Sequence, residues 1–121
     1  MEVLIFSYTR KQAIEDGVLR DLSSLARESG FRIPVAITEA AWRRCIEVAE
    51  SDVCQDEIGR ARDLLTVLYF AVRTSSSRDP LAFEVCVQDA PGRSETIPLK
   101  AILGPGDGGE PVVTVMFPEE D

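Results

Sequence analysis

Residues 81–117 read LAFEVCVQDAPGRSETIPLKAILGPGDGGEPVVTVMF, and their period decides the fold. Leu81, Phe83, Val85 and Val87 alternate with smaller or polar residues, and Ile97, Leu99, Ala101 and Leu103 do the same. A third run offers Val113, Val115 and Phe117, or the opposite set Val112, Thr114 and Met116. Alternation of this kind places one face of each strand in a core. The connections at 89–94 and 104–111 are rich in turn formers and short enough for hairpins. The simplest topology for the three strands is therefore an antiparallel meander.

Upstream, the Ser-rich stretch from Thr74 to Pro80 marks a change of architecture. Before it, from about 56 to 73, the stripe Ile58, Ala61, Leu65, Leu68 and Val72 is joined by Leu64, Val67, Tyr69, Phe70 and Ala71. Apolar on nearly every side, this segment is expected to be a central helix with Leu64, Leu68 and Phe70 all covered. Thr38 is a good N-cap for a further helix whose stripe is Trp42, Cys45, Ile46 and Ala49. Thr9-Arg10-Lys11-Gln12 forms a capping box that opens a short helix ending at Gly17. The next helix would carry Val18, Leu19, Leu22, Leu25 and Ala26 and stop at Gly30. Phe31 to Ile37 contains Pro34 and fits either an edge strand or an extended connector. Val3 to Phe6 suits a buried strand added at the N-terminus. Helices before strands predict an α+β fold, with the N-terminal helices packed on one face of a C-terminal antiparallel meander.

The chain of 121 residues matches one domain, 1–121, with a helical half at about 1–78 and a sheet half at about 79–121. Its formal net charge is -8, which repels phosphate backbones and anionic membranes, so neither nucleic acid nor a membrane is an expected partner. Histidine is absent, which removes His-based nucleophilic catalysis and His metal sites. Cys45, Cys54 and Cys86 are odd in number, lack C-x-x-C spacing and sit in apolar company. They read as buried reduced thiols, and with no signal peptide or apolar span they point to the cytoplasm. No catalytic residue, metal site or cofactor is expected.

Two constellations invite a chemical reading. Gly104-Pro105-Gly106-Asp107-Gly108-Gly109 resembles a phosphate cradle, but a strand follows it where a helix N-terminus is needed, so a tight hairpin is the better reading. The paired acids Glu15-Asp16, Asp56-Glu57 and Glu119-Glu120-Asp121 have no evident shared cleft and read as solvated charge or helix N-terminal acids. Charge is unevenly divided: residues 1–78 hold 12 acids and 11 bases, whereas residues 79–121 hold 9 acids and 2 bases. The sheet half thus presents an acidic surface, and Asp107, Glu110, Glu119, Glu120 and Asp121 are its candidate partner-binding residues. As hairpin-tip charges, Asp107 and Glu110 are expected to carry little stability.

Several blocks together resemble one family. They are Tyr8 to Leu19; Phe31 with Pro34-Val35-Ala36-Ile37-Thr38 and Trp42; Gly59-Arg60 with Asp63 and Leu65; and Gly104-Pro105-Gly106-Asp107 with Gly109-Glu110-Pro111-Val112-Val113-Thr114. Over almost its whole length the chain resembles small proteins of uncharacterised function encoded on bacterial plasmids, phages and integrated elements. That resemblance implies mobile DNA as genomic company and supplies no catalytic residue or cofactor. The expected function is non-enzymatic: binding through acidic surface to the basic groove of a host nucleic-acid-handling complex, a restriction or CRISPR effector, and inhibiting it. A nucleotide- or metal-binding accessory enzyme using the 104–111 loop, and a structural or regulatory dimer, are the alternatives. Monomer and homodimer both remain open.

Overall fold

The computed structural model describes residues 8–47, 57–74, 80–90 and 92–120. Among these residues four helices, α1 (Arg10–Glu15), α2 (Ser23–Glu28), α3 (Glu39–Cys45) and α4 (Glu57–Thr74), accompany five strands, β1 (Leu19–Asp21), β2 (Val35–Thr38), β3 (Leu81–Ala90), β4 (Arg93–Pro105) and β5 (Pro111–Met116). The fold is α+β, with the order β1-β2-β5-β4-β3 in one mixed sheet. The Val3–Phe6 strand, Ala49 and most of the Ser-rich connector lie outside the described residues.

The C-terminal meander is present: β3 pairs with β4 and β4 with β5, both antiparallel. The sheet does not stop there. β5 also pairs in parallel with β2, and β2 pairs antiparallel with β1. Phe31 to Ile37 therefore contains an interior strand and not an edge. Pro34 just precedes β2, where a missing N–H costs nothing, and its carbonyl accepts from Val113 N–H at 2.9 Å.

The expected helix from Val18 is replaced by β1. α1 ends in a Schellman motif, with Gly17 at φ 81, the Gly17 N–H on the Ile14 carbonyl and the Val18 N–H on the Ala13 carbonyl. That turn lays Leu19–Asp21 along β2, and the Glu39 N–H to Val18 carbonyl and Leu22 N–H to Val35 carbonyl bonds extend the pairing. α2 then runs from Ser23 and closes on Gly30 by the same motif, φ 111. The capping box on α1 and the Thr38 cap on α3 form as the sequence predicts.

The main core lies between the sheet and α2, α3 and α4. Leu81, Phe83, Val85 and Val87 meet Ile97, Leu99 and Ala101, together with Val113, Val115, Val35 and Ile37, under Leu64, Leu65, Leu68, Ala41 and Ile46. Leu103 shares this face by register yet is exposed. Of the cysteines expected to be buried, Cys45 is, whereas Cys86 alternates with the core-facing Val85 and Val87 and is exposed, and Cys54 lies outside the described residues. α1 lies against the other face, so the helices are not confined to one side. Its Arg10 reaches Thr114, which alternates with the core-facing Val113 and Val115, and Ala13, Ala36, Val112 and Met116 are buried outside the main cluster.

α4 has the expected bounds but not the expected surroundings. It buries Ala61, Leu64, Leu65 and Leu68, while Ile58, Val67, Phe70 and Val72 stay exposed, Phe70 at 61%. One covered stripe is enough to hold the helix, because exposure of single apolar side chains is ordinary. Among the described residues no helix is long and apolar enough to cross a membrane.

Candidate functional site

α1 is six residues long and exists because both its ends are tied. At its start the Thr9 hydroxyl accepts from Gln12 N–H at 3.0 Å, while the Gln12 side chain accepts from Thr9 N–H at 2.9 Å. The next two donors, Arg10 N–H and Lys11 N–H, go to the two carboxylate oxygens of Asp107, at 2.7 and 3.0 Å. A carboxylate that accepts backbone N–H groups at a helix start is favoured in its charged form. These two bonds, with lesser help from the Arg10 and Lys11 charges, hold the Asp107 carboxyl below the usual aspartate range. Asp107 is thus structural, contrary to the expectation for a hairpin-tip acid.

The Arg10 side chain runs inward and is half-buried. Its guanidinium donates to Thr114 Oγ1 at 2.8 Å and to the Val113 carbonyl at 2.9 Å. Burial pulls its pKa down, opposed by Asp21, Asp107 and Glu110 nearby. Around it opens a cleft whose walls are Glu15, Asp21, Asp107 and Glu110 and whose apolar surface comes from Ile14, Pro34 and Val112. Lys11 is the second base in it, so the carboxylates outnumber the cations.

The hairpin tip is arranged by its own donors and acceptors. Gly106 N–H donates to the Glu110 carbonyl at 2.6 Å, Gly109 N–H to the Gly106 carbonyl at 3.0 Å, and Gly108 N–H to the Glu110 carboxylate at 2.9 Å. These amides face into the loop, so they are engaged where a phosphate cradle would need them free. The Glu110 side chain folds so closely over Gly106 that a Cβ there would collide with its carboxylate.

A second acidic cleft lies at the other end of α1, lined by Asp16, Glu39 and Glu120 beside Gly17, Val18 and Thr38. Glu39 is bonded by the Arg20 and Arg43 side chains at 2.9 and 2.8 Å, which hold its carboxyl below the usual range. Tyr8 donates its hydroxyl to Asp16 at 2.6 Å, and that bond raises the phenol above its ordinary value. Glu120 accepts from Thr38 Oγ1 and Phe117 N–H, each at 2.8 Å.

Of the five acids named from sequence, Asp107 and Glu110 come together in the first cleft, Glu120 lines the second, Glu119 stands exposed and Asp121 lies outside the described residues. Sequence reasoning missed Glu15 and Asp21, which join Asp107 and Glu110 from the far end of the chain. Glu15 was visible in an acidic pair, but nothing local places it beside residue 107. The acidic surface is therefore shared by both halves. Among the described residues no group of His, Cys, Asp or Glu is arranged to hold a metal ion.

Comparison with curated proteins and with solved structures returns no match. Residues 2–121 match the family described as "Family of unknown function (DUF6573)", and the chain belongs to that family.

Proposed function

We propose that the chain is a non-enzymatic accessory protein of a bacterial mobile element that acts in the cytoplasm by binding and inhibiting a host nucleic-acid-handling defence complex, a restriction or CRISPR effector. The acidic cleft beside α1 meets an Arg/Lys-rich groove of that complex and presents carboxylates where phosphates would sit. The observation that supports this reading is the convergence of Glu15, Asp21, Asp107 and Glu110 over an apolar surface of Ile14, Pro34 and Val112. Charge of this sign steers a cationic partner, and the apolar surface accepts the aliphatic stem of an arginine or lysine while the carboxylates take its head. Asp107 is held by two backbone bonds, so part of the charge is already in place before binding.

The test is establishment of a targeted plasmid in cells that carry a restriction or CRISPR system, with and without this chain. Wild type should raise establishment and the variant Glu15→Gln/Asp21→Asn/Glu110→Gln should not, while purified wild type leaves free DNA unbound. Equal establishment with wild type and with no chain, across both kinds of system, would contradict the proposal.

A further inference from the structure

The acidic cleft contains a cation of its own, and that cation does not pair with the acids around it. Among the described residues the Arg10 guanidinium donates only to Thr114 Oγ1 and the Val113 carbonyl, at 2.8 and 2.9 Å. Asp21, Asp107 and Glu110 nevertheless lie near enough to act on its charge. An arginine present only to offset those acids would take a carboxylate in its fork. Here the fork grips β5.

The acids keep free oxygens as a result. Asp21 gives one carboxylate oxygen to the Ser23 N–H and hydroxyl, at 3.0 and 2.6 Å, and Glu110 gives one to the Gly108 N–H at 2.9 Å. Each is aimed through that oxygen, while its other one accepts nothing among the described residues. Glu15 lies opposite them only as far as α1 is held in place. The one buried residue of α1 is Ala13, too small a side chain to seat a six-residue helix by packing. Asp107 fixes the first turn to the hairpin, and Arg10 fixes the same turn to β5.

We propose that Arg10 is the positioning residue of this cleft: by pinning α1 to Val113 and Thr114 it sets Glu15 against Asp21 and Glu110, so that removing this cation weakens the binding of cations although it makes the cleft more acidic. The proposal rests on the reading of the cleft as a site for arginine and lysine side chains. Lys11 is the matched contrast. It borders the same cleft, but among the described residues only its backbone N–H is bonded, so its ammonium adds charge and holds nothing.

Binding of a fluorescent octa-arginine peptide to the full chain at low salt tests this, each variant being first shown to be folded by its melting transition. Arg10→Gln and Lys11→Gln each remove one positive charge from the cleft, and charge alone predicts the same tightening for both. Lys11→Gln should tighten binding about twofold. Arg10→Gln should instead weaken it by roughly threefold or more, through loss of a prearranged site. Arg10→Lys keeps the charge but cannot reach both acceptors, and should bind more weakly than wild type. Thr114→Val removes one acceptor without changing charge and should also weaken binding, which decides the matter if Arg10→Gln does not fold. In the Glu15→Gln/Asp21→Asn/Glu110→Gln background the effect of Arg10→Gln should vanish.

Wild type that binds no peptide overturns the proposal. So does an Arg10→Gln chain that binds as tightly as Lys11→Gln, a Thr114→Val chain equal to wild type, or an Arg10→Gln effect undiminished in the triple background. The predicted series in a chain that does not raise plasmid establishment upholds the role of Arg10 and contradicts the inhibitor reading. Establishment raised by wild type and by Arg10→Gln alike contradicts the role of Arg10 and leaves the inhibitor reading standing.

Discussion

The Asp107 carboxylate accepts the backbone N–H of Arg10 at 2.7 Å, joining a hairpin tip to the first helix across 97 residues. With the Lys11 N–H on its other oxygen, it supplies what a six-residue helix lacks, a fixed start against which to nucleate. Asp107→Ala should lower the melting temperature and loosen the N-terminus in hydrogen exchange, more than Glu119→Ala does. The pH dependence follows from the sign of the shift. A carboxyl lowered on folding stabilises fully above its unfolded value, near 4, and that stability disappears as pH falls through the lower folded value. The difference in melting temperature between wild type and Asp107→Asn should be constant at neutral pH and shrink only in that acid window.

Leu68 and Phe70 lie two residues apart on α4 with opposite fates, 0% and 61% exposed. Leu68→Ala should cost roughly 2–5 kcal/mol in chemical denaturation. Phe70→Ala should stay within about 0.5 kcal/mol, the range of ordinary surface substitutions. Equal losses would contradict the packing described for α4.

Gly30 closes α2 at φ 111, and a Cβ there would lie 2.8 Å from the Tyr69 ring. Gly30→Ala should therefore destabilise by about 1–3 kcal/mol from backbone strain, and more if the ring cannot move. Gly92, also at positive φ, has open space around it and serves as the control for strain without collision. Denaturation midpoints of the two alanine variants separate the effects.

Cys45 and Cys86 should differ sharply toward a thiol reagent. Burial pushes the Cys45 thiol up to about 11, so almost no thiolate exists near pH 8, whereas Cys86 is exposed. In a Cys54→Ser protein without reductant, one thiol should react at once and the second only on unfolding. Fewer than two thiols after denaturation would reveal a bond that this account does not contain.

Local signals were legible in the sequence. The capping box at Thr9 and Gln12, the Thr38 cap, the bounds of α4, the buried face of β3 and that of β4 as far as Ala101 appear where spacing put them, while Leu103 is exposed. β1 was not legible, because Leu19, Leu22, Leu25 and Ala26 fit a helical period and three residues are too few to show alternation. Nor was the parallel pairing of β2 with β5, since a register such as Val35 opposite Val113 leaves no trace in either segment. Pro34 suggested an edge, but it stands just outside the ladder. The candidate site divides in the same way: Asp107 and Glu110 were legible as hairpin acids, while Glu15 and Asp21 join them only through the tertiary contact of α1 with the hairpin.

The central claim is that the cleft of Glu15, Asp21 and Glu110 steers this chain onto a cationic groove. The direct measurement is the association rate with a defence complex that the chain inhibits, at low and at physiological salt, for wild type and for Glu15→Gln/Asp21→Asn/Glu110→Gln. Wild type should associate faster at low salt by roughly tenfold or more, and the variant should lose most of that dependence. Association rates that respond neither to salt nor to the three substitutions would contradict the claim.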